Sequence, residues 1–140
     1  MTQVIGTAPR PAYPATMTSA LHDELTRLME LQRDLEERIS SLAVLPVDVL
    51  KIGTAVLAFA EREEAAFFPL LRLLDPAARA ELGGDHQQLA DDLQLLEWLV
   101  STTPDSPDVA TMADAIVRRM RGHIARDGRL LAQARRIASL

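Results

Sequence analysis

Polar side chains interrupt two apolar helical stripes of this sequence, at positions where the helical period calls for an apolar residue. His86 lies four residues after Leu82 and three before Leu89. Glu63 comes four residues after Phe59. Residues at these spacings share one face of a helix, so we expect both polar side chains to point inward with their apolar neighbours.

The C-terminal part of the chain carries a closely spaced pair of the same kind. His123 and Asp127 lie four residues apart, on the helical face that also carries Met120 and Leu130. His22 is placed less centrally, at the flank of its apolar stripe. The candidate metal ligands of the sequence are therefore His22, Glu63, His86, His123 and Asp127.

This combination of residue types is suited to holding a cation. An unpaired carboxylate buried in a core costs several kcal/mol or becomes protonated, and a bound cation removes that cost. The chain has no cysteine, so any metal must be held by imidazole and carboxylate, a set that suits iron, manganese or zinc. The alternative is that each histidine is an ordinary core residue with a hydrogen-bond partner, and the residues alone leave both interpretations open.

The elements that must position these side chains are helices, because leucine and alanine dominate and no strand-like alternation appears. The apolar spacing and the prolines predict four long helices near residues 18–42, 46–74, 85–101 and 107–138, with a short turn over 76–82 that Gly83-Gly84 ends. Short links between long amphipathic helices favour an all-α, up-down-up-down four-helix bundle. In that topology the five polar residues can meet within about two helical turns of one level.

Four sequence strings together resemble the hemerythrin-like, or HHE cation-binding, family: LHDEL, EREEAAFFPLL, GDHQQLADDLQLL and GHIARDGRLL. The resemblance implies a hemerythrin-like bundle over residues 17–140, after an irregular N-terminal arm over residues 1–16. It also implies non-haem iron, often a di-iron pair, as the cofactor. The ligands that the resemblance assigns are His22 on the first helix, Glu63 on the second, His86 on the third, and His123 with Asp127 on the fourth.

One position departs from that family pattern. The second helix should carry a histidine four residues before Glu63, and this chain has Phe59 there. A phenyl ring cannot bind a metal, so the full di-iron site is in question, and Glu64 or water is an alternative ligand. Asp127 stands where glutamate is commoner, a replacement that the family tolerates.

The function expected from these observations is that of a metal-binding, hemerythrin-like protein that binds, stores or senses oxygen, iron or a small oxidant. The competing hypothesis, which Phe59 motivates, is a bundle with a degraded metal site that serves as a structural or protein-interaction module. A ferritin-like site is excluded, because neither His86 nor His123 has a glutamate three residues earlier. No catalytic residue is predicted.

Charge and hydropathy limit the partners. The formal net charge of −5 argues against nucleic-acid binding, which needs a basic surface. No stretch approaches the roughly 20 apolar residues of a membrane span, and the N-terminus does not resemble a secretory signal, so a cytoplasmic location is expected. Trp98 is expected to cover an edge of the core or to form a contact in a homodimer.

Overall fold

Five helices make up about 91% of residues 15–138, the part of the chain that the computed structural model describes, with side chains described from residue 19. The helices are α1 (Ala15–Ser40), α2 (Pro46–Ala66), α3 (Phe68–Leu74), α4 (Pro76–Thr102) and α5 (Pro107–Ala138). No strand occurs among the described residues. The all-α expectation is confirmed.

The four long helices pack around a shared apolar core. α1 contacts α2 and α5, α4 contacts the same two helices, and the short α3 lies against α4 and the end of α2. Every long helix contributes fully buried side chains to the core, among them Leu25, Leu28, Val56, Leu82, Leu96, Ile116 and Ile124. Each of these helices therefore has an inward face on which a polar side chain meets other helices rather than water.

The observed start of α1 precedes the predicted one. Ala15 and Thr16 are already helical, whereas we expected the irregular arm to include them. The remainder of the predicted arm, residues 1–14, lies outside the described residues. The last helix begins at Pro107 and reaches Ala138 as predicted, and the Ser106 hydroxyl accepts a hydrogen bond from the Asp108 N–H at 3.2 Å at its start.

The second predicted helix is interrupted near its end. α2 ends at Ala66 and α3 begins at Phe68, so Phe67 lies at a break that the apolar pattern did not reveal. Pro69 explains the break, because proline has no N–H to donate to the carbonyl of Ala65 and its ring clashes with that carbonyl. The break matters for the site, since it sets Phe68 beside His86.

The predicted break at Gly83-Gly84 is wrong. α4 runs without interruption from Pro76 through both glycines. Asp75 caps its start by accepting a hydrogen bond from the Ala78 N–H at 3.1 Å. Each glycine costs about 1 kcal/mol of helix propensity relative to alanine, but burial of Leu82 before the pair and of Leu89 after it outweighs that cost.

The register of α2 on α4 depends on a close approach at Gly53. A Cβ at this position would lie 2.5 Å from Cδ2 of Leu93, so only glycine allows the two helices to come this near without a shift. The contact brings the α2 backbone close to α4 and so helps to place the acidic end of α2 beside the histidine of α4.

None of the helices within residues 15–138 combines the length and the apolar character that crossing a bilayer requires.

Candidate metal centre

Four of the five predicted ligands converge inside the protein. Glu63 comes from α2, His86 from α4, and His123 and Asp127 from α5. One potential ligand atom from each residue lies within 4.8 Å of those from the other three. The exposed fractions are 0% for Glu63 and Asp127, 5% for His86 and 9% for His123, so the cluster is shielded from bulk water.

The inward-facing polar atoms of these side chains do not form hydrogen bonds with one another. His86 Nε2 lies 3.4 Å from Glu63 Oε1, and His123 Nε2 lies 3.1 Å from Asp127 Oδ2, but neither contact has the geometry of a hydrogen bond. Both oxygens of both carboxylates and Nε2 of both histidines are buried without a hydrogen-bond partner. Buried polar atoms are almost always paired, so six unpaired atoms at one place are unusual in a protein core.

The outward faces of the two imidazoles are, in contrast, held by carboxylates. His86 Nδ1 lies 2.8 Å from Glu64 Oε2, and His123 Nδ1 lies 3.2 Å from Asp85 Oδ2. A carboxylate only accepts, so Nδ1 is the donor in each contact, and in the neutral imidazole Nε2 then presents a lone pair to the interior. This carboxylate–histidine arrangement is the one that orients metal-binding histidines in proteins.

Arg126 extends the outer contact at His123. Its guanidinium donates to Asp85 and, at 3.1 Å, to Glu81 Oε2. Asp85 and Glu81 belong to α4, and Arg126 lies on α5, one residue before Asp127. The pair of helices that supplies three of the four inner side chains is thereby tied together on its outer surface.

Aromatic contacts fix the ring of His86. The ring stacks on Phe68 with a centroid distance of 5.3 Å and an interplanar angle of 14°. The His123 ring meets it edge-on, at 4.9 Å and 76°. Arg79 lies over the Phe68 ring at 5.0 Å from its centroid. The imidazole of His86 is therefore confined by neighbours on both sides as well as by Glu64.

Burial and neighbouring charges shift the pKa values of three groups in the cluster. Burial, reinforced by the nearby charge of Asp127, raises the pKa of Glu63 to about 11, so this carboxyl is protonated at neutral pH. Burial lowers the pKa of His86, and its contact with Glu64 opposes this only in part. Burial alone would lower the pKa of His123 too, but the adjacent Asp127 and Asp85 outweigh it and raise the pKa.

The donor set fits a transition-metal ion. Two imidazole nitrogens and two carboxylates suit iron, manganese or zinc. Bonds from such an ion to nitrogen and oxygen are about 2.0–2.2 Å long, so ligand atoms on opposite sides of it lie about 4.2 Å apart. The observed spread of 4.8 Å is close to that value. Small side-chain shifts would bring all four candidate ligands within bonding distance of one ion.

His22 is not part of this group. It is half-buried on α1, and the Thr26 hydroxyl donates to its backbone carbonyl at 3.0 Å. Its role as a ligand stays a prediction. Glu64, the alternative ligand considered for the missing histidine, contacts the outward nitrogen of His86, and Phe59 is buried in the core.

Two cavities approach the histidines from outside. One of about 390 Å³ opens beside His123 and is lined also by Met120 and Arg126. The other, of about 600 Å³, reaches His86 along Phe68. Each of the two candidate imidazoles therefore lines a cavity at the protein surface.

Sequence reasoning missed the contacts of the two outer carboxylates, because it did not consider Asp85 and considered Glu64 only as an inner ligand. Asp85 precedes His86 in the chain but contacts His123, on another helix. Glu64 directly follows the candidate ligand Glu63 on α2. No spacing rule within one helix identifies such partners, because they are set by the register between helices.

Comparison of the chain with protein-family profiles, with curated proteins and with solved structures gives no match.

Proposed function

We propose that the protein is a hemerythrin-like metal protein, in which the four long helices form an up-down-up-down bundle around an ion held by Glu63, His86, His123 and Asp127. The packing of α1 and α4 against both α2 and α5 supports the bundle. The four sequence strings support the family resemblance, and they surround the clustered side chains.

The observation that carries the proposal is that one nitrogen of each imidazole has a carboxylate partner and the other has no hydrogen-bond partner. Nδ1 of His86 and of His123 is engaged by a carboxylate, while Nε2 of each faces buried carboxylate oxygens that have no partner. In a core without a metal, buried polar atoms that have no partner lose their hydration and gain no contact in return. A bound cation attracts all six inner atoms and so offsets the free-energy cost of burying them.

Iron is the ion that the resemblance favours, with manganese and zinc as the other ions that suit the donor set. Four protein side chains leave coordination positions free on an ion that takes five or six ligands. Iron with open positions among histidine and carboxylate is the arrangement that non-haem iron proteins use to meet O₂. We therefore propose that the protein binds, stores or senses oxygen, iron or a small oxidant, and the cavity beside His123 supports access by such a molecule.

Metal analysis tests the proposal. Protein purified without chelators, or reconstituted with Fe(II), Mn(II) or Zn(II) without oxygen, is expected to retain metal in stoichiometric amount through gel filtration. His86→Ala and His123→Ala are expected to lose it. An absorption spectrum recorded in air and again after reduction then identifies a redox-active ion. Protein that holds no stoichiometric metal, with the two variants unchanged from wild type, would contradict the proposal.

A second candidate is a bundle that has lost its metal and acts as an interaction module. Phe59 favours it, because this core side chain, 4% exposed, stands where the family places a ligand. Exposed apolar side chains at Leu73 (74%) and Trp98 (59%) offer surface for a partner. This candidate predicts that the melting temperature does not change when iron is added, whereas a bound ion raises it.

A further inference from the structure

We propose that the site takes a single metal ion per chain, and that Phe59 is the side chain that limits it to one. The inference rests on the proposed function, because it specifies the number of ions in the same site. It departs from the di-iron pair that the family resemblance implies.

The first argument is the convergence of the ligands. One ligand atom from each of Glu63, His86, His123 and Asp127 lies within 4.8 Å of the others, which describes a shell around one point. In sites with two metals the ions lie about 3.5–4 Å apart, and each needs ligands beyond those that it shares. Both histidines belong to the one shell, so a second ion would have to find its nitrogen ligands elsewhere.

The second argument concerns the side chains that α1 and α2 place at the level of the cluster. An ion pair of 2.9 Å between Glu24 and Arg62 joins the two helices, and it places Leu25 close in level to Glu63. Leu25 is fully buried, and Phe59 is buried one turn before Glu63. Leu25 and Phe59 are hydrocarbon side chains, which cannot bind an ion.

The third argument concerns the remaining acidic and imidazole groups nearby. Glu64 holds the outward nitrogen of His86, and Asp85 holds that of His123 together with Arg126. Both carboxylates are thus committed to the outer faces of the ligands. His22 lies outside the converging group. Among the described residues, no further group of three or more histidine and carboxylate side chains converges in this way.

The number of ions per chain tests the inference. Wild type, Phe59→His and Phe59→Leu are each saturated with Fe(II) without oxygen, and separately with Co(II), and passed through gel filtration. The number of metal ions per chain is then measured by inductively coupled plasma mass spectrometry. We expect one ion in wild type and in Phe59→Leu, and a second, weaker ion in Phe59→His, bound by the new imidazole and the second oxygens of Glu63 and Asp127.

The outcomes separate the two proposals. Two ions in wild type overturn the single-ion inference and leave metal binding intact, whereas no ion in wild type overturns the proposed function itself. A Phe59→His variant that folds, by circular dichroism, and still takes one ion shows that Phe59 is not the limit. The titration of wild type with Co(II), whose visible absorption should stop rising at one equivalent, decides the ion count without any variant.

Discussion

The side-chain amide of Gln32 on α1 lies against the backbone of α5 at Gly128, the residue that follows Asp127. Gln32 Nε2 donates to the carbonyl oxygen of Ile124 at 2.9 Å. A Cβ on residue 128 would lie 2.7 Å from the same nitrogen, so the approach depends on glycine. A buried polar contact thus sets the register of α1 on α5 directly beside the candidate ligand.

Gly128→Ala is therefore expected to gain nothing from the better helix propensity of alanine. The new methyl group displaces the Gln32 amide and breaks its hydrogen bond, at a cost of about 0.5–1.5 kcal/mol. Gly122→Ala is the matched control on the same helix, because a Cβ there meets nothing within 4 Å. The control should raise the free energy of unfolding by about 0.5–1 kcal/mol, measured by urea denaturation.

The double variant Gln32→Ala with Gly128→Ala isolates the contact. With the amide removed, the methyl group at 128 has room, so adding Gly128→Ala to Gln32→Ala should now stabilise the protein as Gly122→Ala does. Equal effects of Gly128→Ala with and without Gln32 would show that the contact does not limit this position.

Glu63→Gln is expected to change how the stability of the metal-free protein depends on pH. The pKa of Glu63 is about 11 in the folded protein against an ordinary 4.5. Folding therefore holds a proton that the unfolded chain releases, and stability from this group is complete below pH 4.5 and falls as the pH rises toward 11. The slope is at most about 1.4 kcal/mol per pH unit.

Denaturation with urea at pH 6 and pH 8, in the presence of a chelator, measures this loss. The difference between wild type and Glu63→Gln should grow with pH in favour of the variant, because glutamine stays neutral. Glu61→Gln, an exposed position on the same helix, is the control and should follow wild type. Parallel pH curves for wild type and Glu63→Gln would contradict the assigned protonation.

Asp85→Asn and Glu64→Gln test the outer carboxylates. Each variant keeps an oxygen that can accept from Nδ1 but removes the charge that orients and polarises the imidazole. Loss of such a partner typically weakens metal binding by about 10–100-fold, and we expect a decrease in this range for Co(II). Circular dichroism should show unchanged helix content.

Asp91→Asn on α4 serves as the control, since Asp91 is exposed and its carboxylate contacts only Gln87 among the described residues. It should bind Co(II) as wild type does. If Asp85→Asn and Glu64→Gln also match wild type, the outer contacts do not orient the ligands.

His22→Ala compared with His123→Ala decides whether α1 supplies a ligand. The four-residue shell predicts that His22→Ala keeps its metal, because His22 lies outside the group, and that His123→Ala binds at least about 100-fold more weakly, beyond the usual effect of an outer partner. Equilibrium dialysis against Zn(II) measures both. Equal loss in the two variants would restore His22 to the ligand set.

The sequence was sufficient for the inner cluster because helical periodicity determines which residues share a face. His123 and Asp127 lie four apart on a stripe, and Glu63 and His86 each interrupt one, so their burial follows from the pattern. His22 was less certain for the same reason, since it sits at the flank of its stripe and is only half-buried in the structure.

Local rules failed where tertiary packing outweighs them. Gly83-Gly84 predicts a helix break, yet α4 continues through it because apolar side chains on both sides of the glycines are buried. Pro69 follows two phenylalanines that continue the apolar pattern, and the pattern concealed the break at Phe67. The contact of Asp85 with His123 crosses between helices, so it depends on a register that spacing along one helix does not contain.

Glu63 and Asp127 lie far apart along the chain, so an ion bound between them would join distant segments. The chain has no cysteine, so it has no disulfide to join its helices. An ion shared by α2, α4 and α5 would act as a cross-link, closing a loop that contains α3, α4 and the three connections between α2 and α5. Metal binding would then slow the separation of these helices, so the ion would lower the rate of unfolding.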